Sequence, residues 1–317
     1  MSEHEHGHNP HPDPALYRRE PVSFVRRGDR MTTRRQLSWD RSRETYILDV
    51  PRHRADTSVA PDATLTPEDL ERIYGRTAPL VVDVGPGLGE STVAGATTHP
   101  DWNFLAVEVY TPGLGALLVQ IEDQELTNIR GVQANAPEVL ERLLPPASVQ
   151  EIWVFFPDPW HKTKHHKRRL ISPAFADRAA TALARGGILR LATDWSGYAV
   201  HMREVMEAHP EFTNLHPGRA AGEESPLTRV RVEERELEVG AQPLRKEKPS
   251  AVSPDGTPLP VQPRAGLREA AQASILEDPV DHDGGWAPRF ATRPLTSFEA
   301  KAERAGRLIF DLAYQRR

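Results

Sequence analysis

Between Leu80 and Ala208 the chain alternates short apolar runs with stretches of helical periodicity, and this alternation restricts the fold more than any other feature. "LVVDV" (80–84) reads as a buried strand; a glycine turn and a helix from Glu90 to about Thr98 follow. "NFLAVEV" (103–109) is a second strand, followed by a helix to about Gln124. The series continues with a strand over 129–133, a helix over 136–144, the strand "EIWVFF" (151–156) and a helix over 173–185. The strand "GGILRLAT" (186–193) and a helix from Trp195 to about Ala208 complete this part, and a helix over 296–305 and the strand "LIFDLAY" (308–314) come after a break. Parallel strands joined by helices need right-handed crossovers, so the expected fold is α/β and Rossmann-like, with a mostly parallel sheet covered on both faces.

The flanks differ in kind. Residues 1–17 hold His4, His6, His8 and His11 among Pro, Asn and Glu and read as a disordered tail; no metal site is expected. Residues 18–60 read as a basic arm, with nine arginines between Arg18 and Arg43. Residues 217–288 carry ten of the 29 prolines and 13 acidic against 9 basic residues, which predicts a flexible insertion, with a possible hairpin over 227–239. The ordered domain is therefore expected over 61–216 and 289–317. No run approaches the roughly 18–20 apolar residues of a membrane span, and the amino terminus lacks an apolar signal region, so the expected location is the cytoplasm. There is no cysteine, which excludes thiolate metal sites and cysteine nucleophiles.

The turn "VVDVGPGLGES" places Asp83 in the end of the first strand and Gly85, Gly87 and Gly89 before the helix. The spacing lacks the third glycine of the G-x-G-x-x-G dinucleotide fingerprint, and Glu90 at the helix start would repel a pyrophosphate. S-adenosyl-L-methionine, with a sulfonium and an ammonium and no phosphate, suits an acidic turn better. Glu108, at the end of the second strand, has the position of a ribose acceptor, a demand shared by NAD and adenosylmethionine. Asn135, after the third strand, could pair with an adenine edge or cap the helix that follows.

Ligands of open α/β sheets bind beyond the carboxyl ends of the strands, where "FFPDPWHKTKHHKRRLI" (155–171) begins. Pro157 and Pro159 fix φ on both sides of Asp158 and hold it in a stiff turn. The arm that follows has Lys162, Lys164, Lys167, Arg168 and Arg169, an arrangement suited to phosphates, with Arg18 to Arg43 as a second contact. Net charge over the whole chain is only −5, so any attraction to nucleic acid is local.

"VDVGPGLG", "FLAVEVYTPGLGALL", "FFPDPWHKTKHHKRRLI", "LATDW" and "RPLTSFEAKAERAGRLIFDLAYQR" together resemble the bacterial tRNA (guanine-N7)-methyltransferase family, over about 80–216 and 290–317. "SFVRRGDRMT" (23–32) resembles that family's amino-terminal segment. The resemblance implies a class I methyltransferase fold with a seven-stranded sheet, S-adenosyl-L-methionine as cofactor, tRNA as partner and methylation of guanine N7, at position 46 of the variable loop. It implies that Asp83, Glu108 and Asn135 hold the cofactor, that Asp158 is the active-site acid, and that Lys162, Asp194, Thr296, Ser297, Phe298 and Glu299 bind substrate. Asp83 stands where relatives often carry Glu, and Asn135 where Asp is frequent.

Guanine N7 already exposes a lone pair and loses no proton on methylation, so the reaction asks for no general base. Pyrimidine C5 methylation usually needs a cysteine, which is absent. Two other readings remain at this point: a dinucleotide-dependent oxidoreductase, on the glycine turn and Glu108, and a non-catalytic RNA-binding relative, on the substitutions at 83 and 135.

Overall fold

A computed structural model describes residues 30–53, 55–221, 284–304 and 307–317. Seven strands form one sheet: β1 (Leu80–Val84), β2 (Asn103–Glu108), β3 (Ile129–Gln133), β4 (Val149–Phe155), β5 (Leu183–Thr193), β6 (Phe212–Asn214) and β7 (Phe310–Arg316). Their order is β3-β2-β1-β4-β5-β7-β6. The first five run parallel, and β7 lies antiparallel between β5 and β6.

Every residue of β1 and β2 is buried, as continuous apolar runs require when helices cover both faces. Successive side chains of β1 serve opposite layers. Val81 packs with Phe104, Leu114, Leu117, Ile121 and Trp153, whereas Val82 packs with Leu105, Val139, Ile152, Phe175 and Leu191. The helices are α1 (Thr33–Tyr46), α2 (Pro67–Tyr74), α3 (Glu90–Thr98), α4 (Thr111–Asp123), α5 (Ala136–Glu138), α6 (Pro173–Ala182), α7 (Ser196–Glu207) and α8 (Ser297–Arg304).

Several expectations need correction. The helix expected over 136–144 has α-geometry only as α5 and continues as a π-turn over Val139–Leu143. The helix expected to 185 ends at Ala182, because Leu183 already pairs with Val149 on β4. The arm expected over 18–60 is folded domain from α1 onward among the described residues. Arg34 binds both oxygens of Asp123 at 2.6 and 2.7 Å, Arg41 binds Glu122 at 2.6 Å, and Val50, Val59 and Ala60 are core residues. Arginines 34 and 41 thus tie α1 to α4 and are engaged by carboxylates rather than offered to phosphate.

The insertion is also narrower than 217–288. Its edges pair through an antiparallel bridge between Pro217 and Gly284. Trp286 is wholly buried against Phe310, and Ala287 donates its N–H to the carbonyl of Asp311 at 2.7 Å. The His-rich start, residues 18–29 of the arm and the hairpin expected over 227–239 lie outside the described residues.

Candidate active site

The strand order reverses between β1 and β4, the point where an open parallel sheet leaves a crevice at its carboxyl edge. The glycine turn stands on one side of that crevice and Asp158 on the other.

Gly85, Gly87 and Gly89 all have positive φ, at 68°, 64° and 86°. At Gly89 the reason is twofold: a side chain would be strained there, and its Cβ would lie 2.6 Å from Leu117 Cδ1 on α4. Glu108 accepts Gly87 N–H at 2.9 Å on one oxygen, and Val109 and Tyr110 N–H at 2.8 and 3.0 Å on the other. Three of roughly four acceptor positions on this carboxylate are therefore engaged by backbone. Its first effect is to tie the glycine turn to the turn after β2.

Asp83 is buried at the end of β1 and accepts the Thr92 hydroxyl at 2.7 Å. Burial pushes its carboxyl up; the Thr92 hydrogen bond opposes the rise and the charge on Glu108 adds to it, leaving the group at about 7. Such an anion gains from a cationic ligand. Asn135 sits at the N-cap position of α5, yet its side chain makes no cap bond. Its amide nitrogen reaches Glu138 at 3.4 Å, and its Oδ1 is buried without a partner. An orphaned acceptor costs about 1–3 kcal/mol, which a ligand N–H such as an exocyclic amine would recover. These residues fit adenosylmethionine: a close-approach turn without phosphate donors, an anion for an ammonium, and an open acceptor for an adenine amine.

On the other side, Phe156 continues the sheet by donating its N–H to Ala192 at 2.8 Å, and Asp158 is exposed at the tip of the turn. Phe156 and Trp160 flank the Pro-Asp-Pro unit with φ of 55° and 48°, a conformation bulky residues avoid and one that marks functional sites. The cationic arm does not stream away from this turn. It folds back as a 3-10 helix over Thr163–Arg168, with the Arg168 guanidinium 5.0 Å from the Trp160 ring.

Arg169 departs from its expected role as a phosphate contact. It is buried, binds the Pro159 carbonyl through Nε at 3.0 Å, reaches the Gly197 carbonyl at 3.5 Å and lies over Tyr198 at 4.8 Å. It props up the Asp158 turn from below. Lys162, Lys164 and Lys167 are exposed and remain suited to phosphate.

Asp194, just past β5, pairs with Arg307 at 2.8 Å. His161 packs edge-on against Trp195 at 4.1 Å between ring centres. Partial desolvation, helped by the charges of Arg307 and Arg169, lowers its pKa, and the charges of Asp194 and Asp158 oppose the shift.

The Thr296–Glu299 segment reaches the same crevice from beyond the insertion. Thr296 caps α8 by accepting Glu299 N–H at 3.1 Å. Ser297 N–H is accepted by Glu90 at 2.9 Å, and the Phe298 ring lies 3.6 Å from where a Cβ on Gly87 would stand. α8 and the glycine turn are thus in direct contact. Glu299 is a correction: it is fully buried and bound by Arg289 at 2.8 and 3.0 Å and by Arg293 at 3.2 Å, so it faces the protein. Burial alone would raise its pKa, but the two arginines outweigh this and hold it low. Of the four residues, Phe298 is the one that is exposed, at 38%.

Sequence reasoning missed Arg289 and Arg293, which reach Glu299 from the segment before α8, and Arg307, whose partner Asp194 lies 113 residues away. It read Glu90 as hostile to pyrophosphate and favourable to adenosylmethionine, and missed its contact with Ser297. The surplus of acid at the helix start was the available signal.

A seven-stranded sheet of this order, with an antiparallel β7 and an acidic glycine turn lacking a phosphate cradle, defines a class I methyltransferase. A family model described as "Putative methyltransferase" matches residues 77–243. A tRNA (guanine-N(7)-)-methyltransferase of Paenarthrobacter aurescens (strain TC1) is 53% identical over 301 residues, covering 95% of this chain and 93% of that one. A protein of the same name from Arthrobacter sp. (strain FB24) is 52% identical, with 95% and 88% covered. Among solved structures, the 16S rRNA methyltransferase KamB aligns at 15% identity with a TM-score of 0.39, covering 79% of this chain and 94% of that one. This chain belongs to the tRNA (guanine-N7)-methyltransferase family.

Proposed function

We infer that the chain transfers a methyl group from S-adenosyl-L-methionine to N7 of a guanine in tRNA. The target we propose is position 46 of the variable loop. The cofactor supplies an electrophilic methyl on a sulfonium. The observation that carries the reading is the exposed Asp158 held between two prolines at the switch point, across the crevice from the glycine turn.

Methyl transfer to N7 forms one N–C bond, breaks one S–C bond and leaves the positive charge on the purine. The protein must therefore align two reactants and favour a cation, without removing a proton. Asp158 suits both demands: its carboxylate can accept the N1–H and N2 amino edge of guanine, which orients N7 and stabilises the ring as it becomes cationic. Asp83 would hold the cofactor's ammonium, Glu108 its ribose and Asn135 its adenine amine, with Gly85, Gly87 and Gly89 allowing close approach. Phe298 offers an aromatic face beside the glycine turn for the base, and Lys162, Lys164 and Lys167 would neutralise phosphates near it.

Asp194, held by Arg307 just past the end of β5, would bind substrate beside Asp158. Among the described residues no helix is long and apolar enough to cross a membrane. Action on tRNA places the protein, in our reading, in the cytoplasm. The test is to incubate unmodified tRNA with methyl-labelled S-adenosylmethionine and map the product. Label on N7 of guanine 46 is expected; label on another atom overturns the reaction, and N7 label elsewhere overturns only the position.

A further inference from the structure

Arg293 is the most enclosed cation among the described residues, with 0% side-chain exposure. Its Nη1 binds one oxygen of Asp311, its Nη2 the other at 3.0 Å, and its Nε binds Glu299 at 3.2 Å. The guanidinium plane also lies 5.1 Å from the Phe155 ring centre and 5.5 Å from that of Phe156. The two carboxylates outweigh burial and raise its pKa, so it is always charged. A buried ion of this kind is costly, and a well-packed apolar group often stabilises a fold as well.

What distinguishes Arg293 is what it joins. Phe156 stands two residues before Asp158 with its backbone in the left-handed region. Glu299 belongs to α8, which carries Phe298 and rests on the glycine turn through Ser297 and Glu90. Asp311 is fixed in β7 by pairing with Ala192 of β5. One planar cation therefore joins two parts of the site, the acidic turn and α8, to a strand paired on both sides within the sheet. A lysine could keep the charge but neither the fork nor the stacking.

We propose that Arg293 is a positioning residue for methyl transfer, setting the Asp158 turn and α8 in register on β7. The proposal rests on the reading of Asp158 as the group that orients guanine. Arg293 touches none of Asp83, Glu108 or Asn135, so it acts on alignment and not on cofactor affinity.

The experiment compares wild type, Arg293→Lys and Arg190→Lys. Arg190 is a control of the same chemical kind: it holds Glu151 by two 2.8 Å bonds and lies 4.3 Å from the Phe290 ring. For Arg293→Lys, kcat should fall on the order of 10²-fold. Cofactor affinity, read by calorimetry, and KM for tRNA should stay within about threefold. Amide exchange should speed up across 155–161 and 296–302 but not across 81–92. Arg190→Lys should lower Tm without that kcat loss.

Unchanged kcat and unchanged exchange in Arg293→Lys overturn the proposal. So does a loss matching that of Arg190→Lys at equal Tm. If Arg293→Lys does not fold, Phe156→Leu, which removes the ring beneath the guanidinium, is judged by the same two readouts. Asp158→Ala is measured alongside. Normal turnover there sinks the reading of Asp158 and this proposal with it, whereas a dead Asp158→Ala with a normal Arg293→Lys sinks this proposal alone.

Discussion

Gly113, in the first turn of α4, offers a quantitative test of how the cofactor side is built. A Cβ added there would lie 2.3 Å from the carbonyl oxygen of Gly87 and 3.4 Å from Glu108 Cγ. Non-bonded carbon needs roughly 3.3 Å from oxygen, so the glycine turn would have to retreat by about 1 Å. It cannot retreat freely, because Glu108 holds Gly87 N–H at 2.9 Å. Overpacking of this kind costs about 1–3 kcal/mol in stability, and a displacement of about 1 Å at a reacting site costs on the order of 10²-fold in rate.

Gly113→Ala should therefore remain folded but lose about 10²-fold in kcat/KM for the cofactor, most of it as weakened binding measured by calorimetry. Gly115→Ala, two residues along the same helix, is the matched control. Its Cβ would meet Met31 Sδ at 2.9 Å, and a flexible thioether can move aside. It should bind the cofactor within about threefold of wild type. Equal losses in the two variants, or normal binding in Gly113→Ala, would refute the claim that the turns at Gly87 and Gly113 are interlocked.

Four further outcomes are expected. Asp158→Ala should lower kcat on the order of 10²–10³-fold with cofactor affinity retained, and single-turnover kinetics decides it. Cofactor affinity should rise as pH climbs from 6 to 8, because Asp83 ionises near 7 and only its anion holds a cation; the slope should vanish in Asp83→Asn. The same shift from an ordinary 3.8 means the folded state keeps a proton that the unfolded state releases, so unliganded stability falls between pH 4 and 7, and denaturant titration without cofactor checks the sign. Replacing Lys162, Lys164 and Lys167 together by Gln should flatten the log–log salt dependence of tRNA affinity by about 2–3, and an unchanged slope removes these lysines from the phosphate path.

The strands β1 to β4 were legible within a few residues because parallel strands buried on both faces are continuous apolar runs, and the glycine spacing placed the first turn. Much of what escaped the sequence was held by contacts outside the local pattern. α1 has no clear apolar periodicity, yet Trp39 and Tyr46 pack on the core, and Asp123 and Glu122 on α4, over 80 residues away, fix it further. Arg169 and Glu299 looked like surface charges inside a basic arm and a substrate motif. Only the fold shows that Pro159, Arg289 and Arg293 claim them. α2 was missed although Thr66 and Asp69 form a complete capping box, a signal that was present in the sequence. Asp158, Lys162 and Phe298 are the members of the expected set that the fold leaves exposed.

The bridge between Pro217 and Gly284 has a topological consequence. Both feet of the intervening segment meet at one spot just after β6, and Trp286 and Ala287 restart the core at once. The entropy of closing such a loop grows only by about 0.6 kcal/mol for each doubling in length. The interval is therefore a splice point, where evolution or a protein engineer can lengthen, trim or exchange the intervening segment without moving β6 or β7.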